Sequence, residues 1–351
     1  HPQTGTLLLN NGWDCLDATV HARNGTQHAN YDQYAACGAG CSGNPFDAAW
    51  AFSPLGWGES HELGHNLQVG PLQIGYVPAD KRNDWSQYAS RAGENSNNIF
   101  PYHNLWRYLR TVAKESGTVV DGHMRLKELF AMIQSSRAGL TRTVGGATRK
   151  VVFDDKCKVV GDYDLAATDV HAEAIWLSDA YAAVNGPRMG FYLDLAFRLH
   201  GATMADGTRL RDGFDVFTLL YQAQRLFRRA AGDDAKWTAA RDGLGFGLFP
   251  RTGHATYGSR KLSELPGNDF LLVALAKITG RDFRPYFRDH GVRFSDLASS
   301  QVDALAPKTT VGAVMTVLDE DLPPADLGAL QTVAVDGKAT WPRDGFHPSS
   351  C

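Results

Sequence analysis

The feature that most constrains this chain of 351 residues is a His-Glu-x-x-His motif at residues 61–65. In a helix, residues four apart lie on one face with Cβ atoms about 5–6 Å apart, so His61 and His65 can bind one metal ion. Glu62 points about 100° round the helix from His61, which suits a general base better than a ligand. Leu63 and Leu67 share another face and are expected to pack on the core. The motif therefore predicts a helix whose metal face and buried face are separate.

Zinc is the metal that this motif favours. Catalytic zinc takes three nitrogen or oxygen ligands and a water, whose pKa it lowers from 15.7 to about 7. The pattern that continues to a third histidine is excluded, because Gln68 and Pro71 occupy its glycine and histidine positions. The other pattern takes a glutamate from a later helix, and Glu94 is placed to begin one. The competing third ligands are His103 and, more distantly, Asp80 and Asp84.

Three segments resemble a known family: GESHELGHNLQ (58–68), GENSNNI (93–99) and CSGNPFD (41–47). They are similar to the enhancin-like, mucin-directed metallopeptidases, and within these to the immunomodulating metalloprotease branch. The resemblance is sharp over residues 30–110 and weaker beyond. It implies a gluzincin with one zinc ion held by His61, His65 and Glu94, and it favours Glu94 over His103. It also implies cleavage of the peptide bond next to a serine or threonine that carries an O-glycan.

The expected reaction is peptide hydrolysis by a zinc-activated water, with Glu62 as the general base that passes the proton to the leaving amine. Asn97 or Asn98 is expected to orient the ligands as a second shell, with helix capping as the equal alternative. The oxyanion-stabilising residue stays open among Tyr31, Tyr34 and Tyr257. Candidate glycan-binding residues are aromatic or polar: Trp57, Arg107, Arg110, Trp176, Asp179, Asn185 and Arg188. For each of these, a core tryptophan or a solvated polar surface residue is the competing interpretation.

Composition limits the partners. With 43% hydrophobic residues, 21% charged residues and a net charge of −3, the chain is globular and has no general affinity for nucleic acid or anionic membranes. No apolar run reaches the ~20 residues of a membrane helix. Cys15, Cys37 and Cys41 suggest a disulfide cluster, which would favour an exported enzyme. The alternative is that these cysteines are reduced thiols packed in the protein. The chain starts without methionine or a signal peptide, so we expect a processed part of a longer, secreted or cell-surface bacterial protein.

The patterns predict an α+β, mostly helical fold, and the resemblance makes it a zincin-like catalytic domain. We expect short strands at 6–9 and 18–22, a loop at 30–58, an irregular connection at 69–84 and a helix containing Leu105 and Trp106, with Pro101 in its first turn. Further helices are predicted around 126–133 and at 188–200, 214–231, 269–279 and 283–290, with strands at 150–153 and 158–160 and a turn at 243–247. Predicted boundaries are 1–135, 136–322 and a tail at 323–351.

Three functions are compatible with these patterns. The first is a zinc endopeptidase for O-glycosylated, mucin-like glycoproteins. The second is a zinc endopeptidase that ignores glycans. The third is a mucin-binding or adhesion module without activity, which would have no need of Glu62. The oligomeric state is left open by the sequence.

Overall fold

The computed structural model describes residues 70–90, 93–108, 126–177, 181–258, 260–312, 314–317 and 330–351. The chain divides into two compact units. The first unit comprises residues 1–68, 94–121 and 319–325, and the second comprises 69–93, 122–318 and 326–351. The predicted N-terminal strands, the loop at 30–58 and the metal-binding helix lie outside the described residues. The predicted domain boundaries stay a prediction.

The described part of the first unit, residues 94–108, belongs to two consecutive helices, α1 (Gly93–Asn97) and α2 (Ile99–Tyr108), the first of which begins one residue before the unit. Pro101 lies in the first turn of α2, where its missing N–H costs no hydrogen bond, as predicted. Asn98 separates the helices; its N–H donates to the Asn95 carbonyl (3.0 Å) and its carbonyl accepts from Tyr102 N (3.3 Å). Glu94 therefore lies on a short helix that precedes the longer one.

The second unit is built mainly from helices. These are α3 (Leu126–Arg137), α4 (Val170–Trp176), α5 (Tyr181–Leu199), α6 (Asp215–Ala231), α7 (Asp234–Leu244), α8 (Gly267–Thr279), α9 (Arg284–Asp289) and α10 (Asp296–Leu305). The four apolar residues that predicted α3, namely Leu126, Leu129, Phe130 and Ile133, are all buried. The core lies around Phe191 of α5, whose ring meets Trp176, Tyr286 and Phe287. The predicted helices at 214–231, 269–279 and 283–290 are confirmed, whereas α5 begins seven residues before the predicted start at 188.

Apolar spacing did not predict three helices, α4, α7 and α10. In α7 only Trp237 is buried, so the helix lacks the apolar stripe on which the prediction depends. Its beginning does carry a capping signal, because Asp233 Oδ1 accepts from Lys236 N (2.9 Å). Likewise, Ser295 Oγ accepts from Ala298 N (3.1 Å) at the start of α10. Gly245, with φ 88°, ends α7, so the predicted turn at 243–247 begins at residue 245 and its first two residues belong to the helix.

The strands are short. An antiparallel sheet has the order β3 (Thr141–Val144), β4 (Ala147–Phe153), β5 (Val159–Tyr163), which confirms both predicted strands and adds β3. Two further antiparallel pairs are β1 (Gly75–Tyr76) with β2 (Ala89–Ser90), and β8 (Val314–Thr316) with β9 (Thr332–Ala334). One parallel pair joins β6 (Arg281–Asp282) to β7 (Thr309–Thr310). The connection at 70–84 is irregular apart from 3-10 turns and β1, as predicted.

The C-terminal segment, residues 330–351, packs on α3. Trp341 meets Phe130 with ring centroids 5.2 Å apart, and the Gln134 side chain bonds to Gly337 N (2.6 Å) and Ala339 O (2.8 Å). A disulfide between Cys157 and Cys351 ties the end of this segment to the turn between β4 and β5. The second unit is thus held by helix packing and by one covalent link between residues far apart in sequence.

The described elements confirm the predicted fold class, α+β and mostly helical. None of the described helices has the length and apolar character that a membrane span requires.

Candidate functional site

The motif residues Trp57, His61, Glu62 and His65 lie outside the described residues, so their roles stay predictions. The backbone of Glu94 lies in α1, one residue after its beginning. The predicted third ligand is therefore presented by regular backbone, in a helix of five residues that ends before α2 begins.

The polar run that follows Glu94 is buried. Asn95, Ser96, Asn97 and Asn98 are each at most 1% exposed, and none is left without an interaction partner. Four consecutive buried polar side chains are unusual, because each must recover by hydrogen bonding what it loses in hydration. This burial fixes the backbone next to Glu94. Asn98 also occupies the N-cap position of α2, so ligand orientation and helix capping both remain open for it.

Two polar candidates lie on α2. His103 is half-buried and Arg107 is exposed, and both have interaction partners. Being four residues apart, they lie on the same face of the helix. Arg110 lies outside the described residues. An exposed arginine two turns into α2, the helix that follows the one carrying Glu94, is compatible with a substrate contact, and its role stays a prediction.

The distant alternatives Asp80 and Asp84 have local roles in the second unit. Asp80 has a side chain that is 78% exposed, 3.9 Å from Lys81 Nζ. Asp84 caps a 3-10 turn, where Oδ1 accepts from Ser86 N at 2.9 Å. Hydrogen bonds from Ser86 hold the pKa of Asp84 below its ordinary value. Within the part of the chain that the structure describes, no three His, Cys, Asp or Glu side chains form a group able to hold a metal ion.

Trp176 and Arg188, predicted as glycan-binding candidates, are core residues of the second unit. Trp176 is 1% exposed, its Nε1 donates to His290 O (2.8 Å), and its ring packs edge-on against Phe191. Arg188 is 2% exposed and donates from Nε to Ile175 O (2.7 Å) and from Nη2 to Trp176 O (3.2 Å). Its guanidinium therefore satisfies carbonyls at the C-terminal end of α4, a favourable position for a cation. A sugar cannot reach either side chain. The competing core interpretation holds for Trp176, whereas the buried Arg188 also differs from the solvated surface position that was its alternative.

Of the remaining candidates, Tyr257 is buried beside Trp85 with ring centroids 4.3 Å apart, and its hydroxyl donates to Pro250 O. Burial raises the pKa of Tyr257 to about 12. It is thereby committed to the interior of the second unit and is a poor oxyanion donor. Asp179, Tyr31 and Tyr34 lie outside the described residues, and only the backbone of Asn185 is described, within α5.

A cavity in the second unit, lined by Arg228 and Arg260, was not predicted from the sequence. The two arginines come from different elements and are far apart in sequence, so no spacing pattern joins them. One lining residue, Trp85, is hydrogen-bonded to a buried acid, Asp269. The Asp269 carboxylate accepts from Trp85 Nε1 (3.1 Å), Ser295 N (2.9 Å) and Ser295 Oγ (2.6 Å). Burial raises the pKa of Asp269 to about 6, although these three donors oppose the shift.

Comparison with known proteins defines the class of this fold. No family model matches the chain. The fold is that of solved metallopeptidase structures: one described as IMPa metallopeptidase in complex with T-antigen has a TM-score of 0.60 and 32% identity, covering 95% of this chain and 31% of that one. A second, IMPa from Pseudomonas aeruginosa in complex with an O-glycopeptide, has a TM-score of 0.60 and 31% identity, covering 96% and 31%.

A curated relative identifies the particular family. The immunomodulating metalloprotease of Pseudomonas aeruginosa is 37% identical over 294 residues, which are 84% of this chain and 26% of the relative. The chain is homologous to the immunomodulating metalloprotease, and the resemblance predicted from its motifs is confirmed. It spans about a quarter of the length of that relative.

Proposed function

We propose that this chain is the catalytic part of a zinc-dependent endopeptidase that hydrolyses the peptide bond next to an O-glycosylated serine or threonine. The observation that carries the proposal is the intact set His61, Glu62, His65 and Glu94 in a chain homologous to a metalloprotease. The solved relatives, described with T-antigen and with an O-glycopeptide, support a glycosylated substrate.

The proposed ligand set fits zinc. Two imidazoles and one carboxylate supply the two nitrogens and one oxygen typical of catalytic zinc, and a fourth position stays available. When bound, zinc supplies a Lewis acid that polarises the scissile carbonyl and acidifies water. The buried polar run 95–98 suits a ligand that must be held in one orientation, because Glu94 leads directly into it.

The chain's own residues then have distinct tasks. Glu62 accepts the proton of the attacking water and delivers it to the leaving amine. Asn97 and Asn98 hold the segment that presents Glu94. Arg107, exposed on α2, is proposed to donate hydrogen bonds to the glycan, together with Trp57 and Arg110. Asp179 and Asn185 stay in this set, whereas Trp176 and Arg188 are removed from it by their burial.

A secreted or cell-surface location is part of the proposal. The disulfide between Cys157 and Cys351 is of the kind that forms and persists in oxidising compartments. The curated relative is a bacterial protein. Whether the cysteines near residue 40 also pair can be tested by peptide mapping without reduction.

Mass spectrometry tests the activity. A mucin-type glycopeptide and the same peptide without sugar are incubated with the protein, each with and without a chelator. We expect cleavage of the glycosylated peptide alone, lost on chelation and restored by zinc. Cleavage of both peptides would favour the glycan-independent endopeptidase, and cleavage of neither with zinc supplied would favour a binding module.

A pair of variants separates catalysis from binding. Glu62→Gln keeps the shape of the side chain but cannot accept the proton, so we expect hydrolysis to be lost while glycopeptide binding persists. Asp164→Asn is the matched control, because Asp164 is 83% exposed and its pairing with Arg149 is a surface interaction of small energetic weight. Equal activity of Glu62→Gln and Asp164→Asn would overturn the catalytic assignment.

A further inference from the structure

A cavity of about 290 Å³ lies within the second unit. Its walls come from residues 70–75, 85–88 and 260–267, together with Arg228 near the end of α6. This volume is close to the lower limit of pockets for small ligands, about 300 Å³, so the cavity has room for one small group of sugar size.

Two arginines give the cavity its charge. Arg228 and Arg260 are both exposed, and no carboxylate of the described residues lies within 4.0 Å of either guanidinium. Some arginines of this unit are paired with acids, for example Arg284 with Asp282 at 2.8 Å and Arg251 with Asp234, whereas Arg229, which does not line the cavity, has no such partner among the described residues. A guanidinium has five donors and no acceptor, so two of them without an acidic partner at one cavity favour an anion.

Among the described lining residues there is one carboxylate, Glu264, and it lies more than 4.0 Å from both guanidiniums. Glu264 Oε2 accepts from Lys261 N at 3.1 Å, which turns it toward the local backbone. Ser263, next to it, adds an exposed hydroxyl to the wall. The following helix, α8, begins at Gly267 without a side-chain cap, since its N-cap residue is Pro266. This side of the cavity therefore offers the Ser263 hydroxyl and the first N–H groups of α8 as donors, beside the Glu264 carboxylate.

The aromatic wall is held in place. Trp85 is fixed by its hydrogen bond to Asp269 (3.1 Å) and by stacking on Tyr257 (4.3 Å). Tyr88 is fixed by its hydroxyl, which donates to Arg82 O (2.8 Å). A rigid wall of this kind lowers the entropy lost on binding a ligand. Trp85 is 2% exposed and lies behind the surface of the wall, so the half-buried Tyr88 is the ring that a ligand can contact, beside the two cations.

We propose that this cavity binds an acidic sugar, with Arg228 and Arg260 holding its carboxylate or sulfate group. The identity of the ring as a sugar rests on the proposed glycoprotein substrate, whereas the preference for an anion rests on the cavity alone. The site would retain acidic glycans on the protein independently of peptide cleavage.

Binding measurements on the full chain test this proposal. The protein is titrated at low ionic strength with 3′-sialyllactose, with 3′-sulfolactose, with neutral lactose and with inorganic sulfate, using ligand-observed NMR and calorimetry. We expect at least one acidic trisaccharide or sulfated disaccharide to bind at least about tenfold more tightly than lactose, and added salt to weaken it. The two acidic probes distinguish a carboxylate from a sulfate ester.

Variants locate the site. Arg228→Gln/Arg260→Gln should weaken acidic-sugar binding at least about tenfold, because charge-assisted hydrogen bonds are lost. Arg229→Gln, the next residue on α6 and outside the cavity lining, is the control and should bind like the unmodified protein. Circular dichroism checks that both variants are folded.

Three outcomes would overturn the proposal: equal binding of lactose and the acidic sugars, unchanged binding by the double variant, or binding of inorganic sulfate alone. None of the probes contains a peptide bond. Failure of glycopeptide cleavage would therefore refute the proposed function and leave acidic-sugar binding standing. Failure of acidic-sugar binding would refute this proposal and leave the proposed function standing.

Discussion

Replacing Trp176 separates a core role from a glycan-binding role, because the two roles predict opposite results. The indole is 1% exposed, contacts Phe191 edge-on with centroids 6.0 Å apart, and donates to His290 O at 2.8 Å. Nothing in these contacts involves solvent. Both Trp176→Phe and Trp176→Ala should therefore act on stability.

The magnitudes follow from what each substitution removes. Trp176→Ala deletes a buried indole and should lower the free energy of unfolding by about 3–5 kcal/mol. Trp176→Phe keeps most of the ring but leaves the His290 carbonyl without its donor, which costs about 1–3 kcal/mol. Against a total stability of about 5–15 kcal/mol, both losses are measurable. A glycan-wall residue on the surface would change stability by less than about 0.5 kcal/mol.

Urea unfolding followed by circular dichroism gives the stability, and cleavage of paired glycosylated and bare peptides gives the specificity. We expect Trp176→Phe to unfold at lower urea with an unchanged KM for glycopeptide at low temperature. The matched variant Arg107→Gln, on an exposed position of α2, should show the opposite pattern: unchanged stability and a raised KM for glycopeptide. A Trp176→Phe protein of full stability that loses glycopeptide selectively would refute the reasoning.

Three further predictions concern the chain as a whole. Cys157→Ser/Cys351→Ser should lower the free energy of unfolding by about 5 kcal/mol, since the disulfide closes a loop with a sequence separation of 194; an unchanged urea midpoint would contradict this. Burial raises the pKa of Asp269 from 3.8 to about 6, so the fold is more stable when this carboxyl is protonated. This contribution to the free energy of unfolding is complete below pH 3.8, and about 3 kcal/mol of it is lost as the pH rises through 6. The stability difference between the unmodified protein and Asp269→Asn should therefore vary between pH 4 and 7, and a constant difference would argue against the shift. Zinc content after dialysis should fall in Glu94→Ala but not in His103→Ala, and the reverse result would make His103 the third ligand.

The sequence predicted those elements whose apolar residues repeat with helical or strand spacing. In α3, Leu126, Leu129 and Phe130 all face the interior, so periodicity alone located the helix. In α7, Trp237 is the single buried residue, and only the cap at Asp233 marks the beginning. Helices of the second kind are stabilised by their ends and by one anchor, which a search for amphipathic spacing does not detect.

The candidate site divides in the same way. The ligands in His-Glu-x-x-His are joined by local spacing, which a sequence displays directly. Arg188 serves inside the protein because its guanidinium donates to the carbonyls of Ile175 and Trp176. Arg228 is proposed to bind an anion because it is exposed and has no acidic neighbour among the described residues. The residue type alone does not distinguish these two roles in the sequence. Whether it serves as an internal cap or as an anion donor is fixed by tertiary neighbours, so the exposed Arg107 and Arg228, and not Arg188, are the positions where substitution should change ligand binding without changing stability.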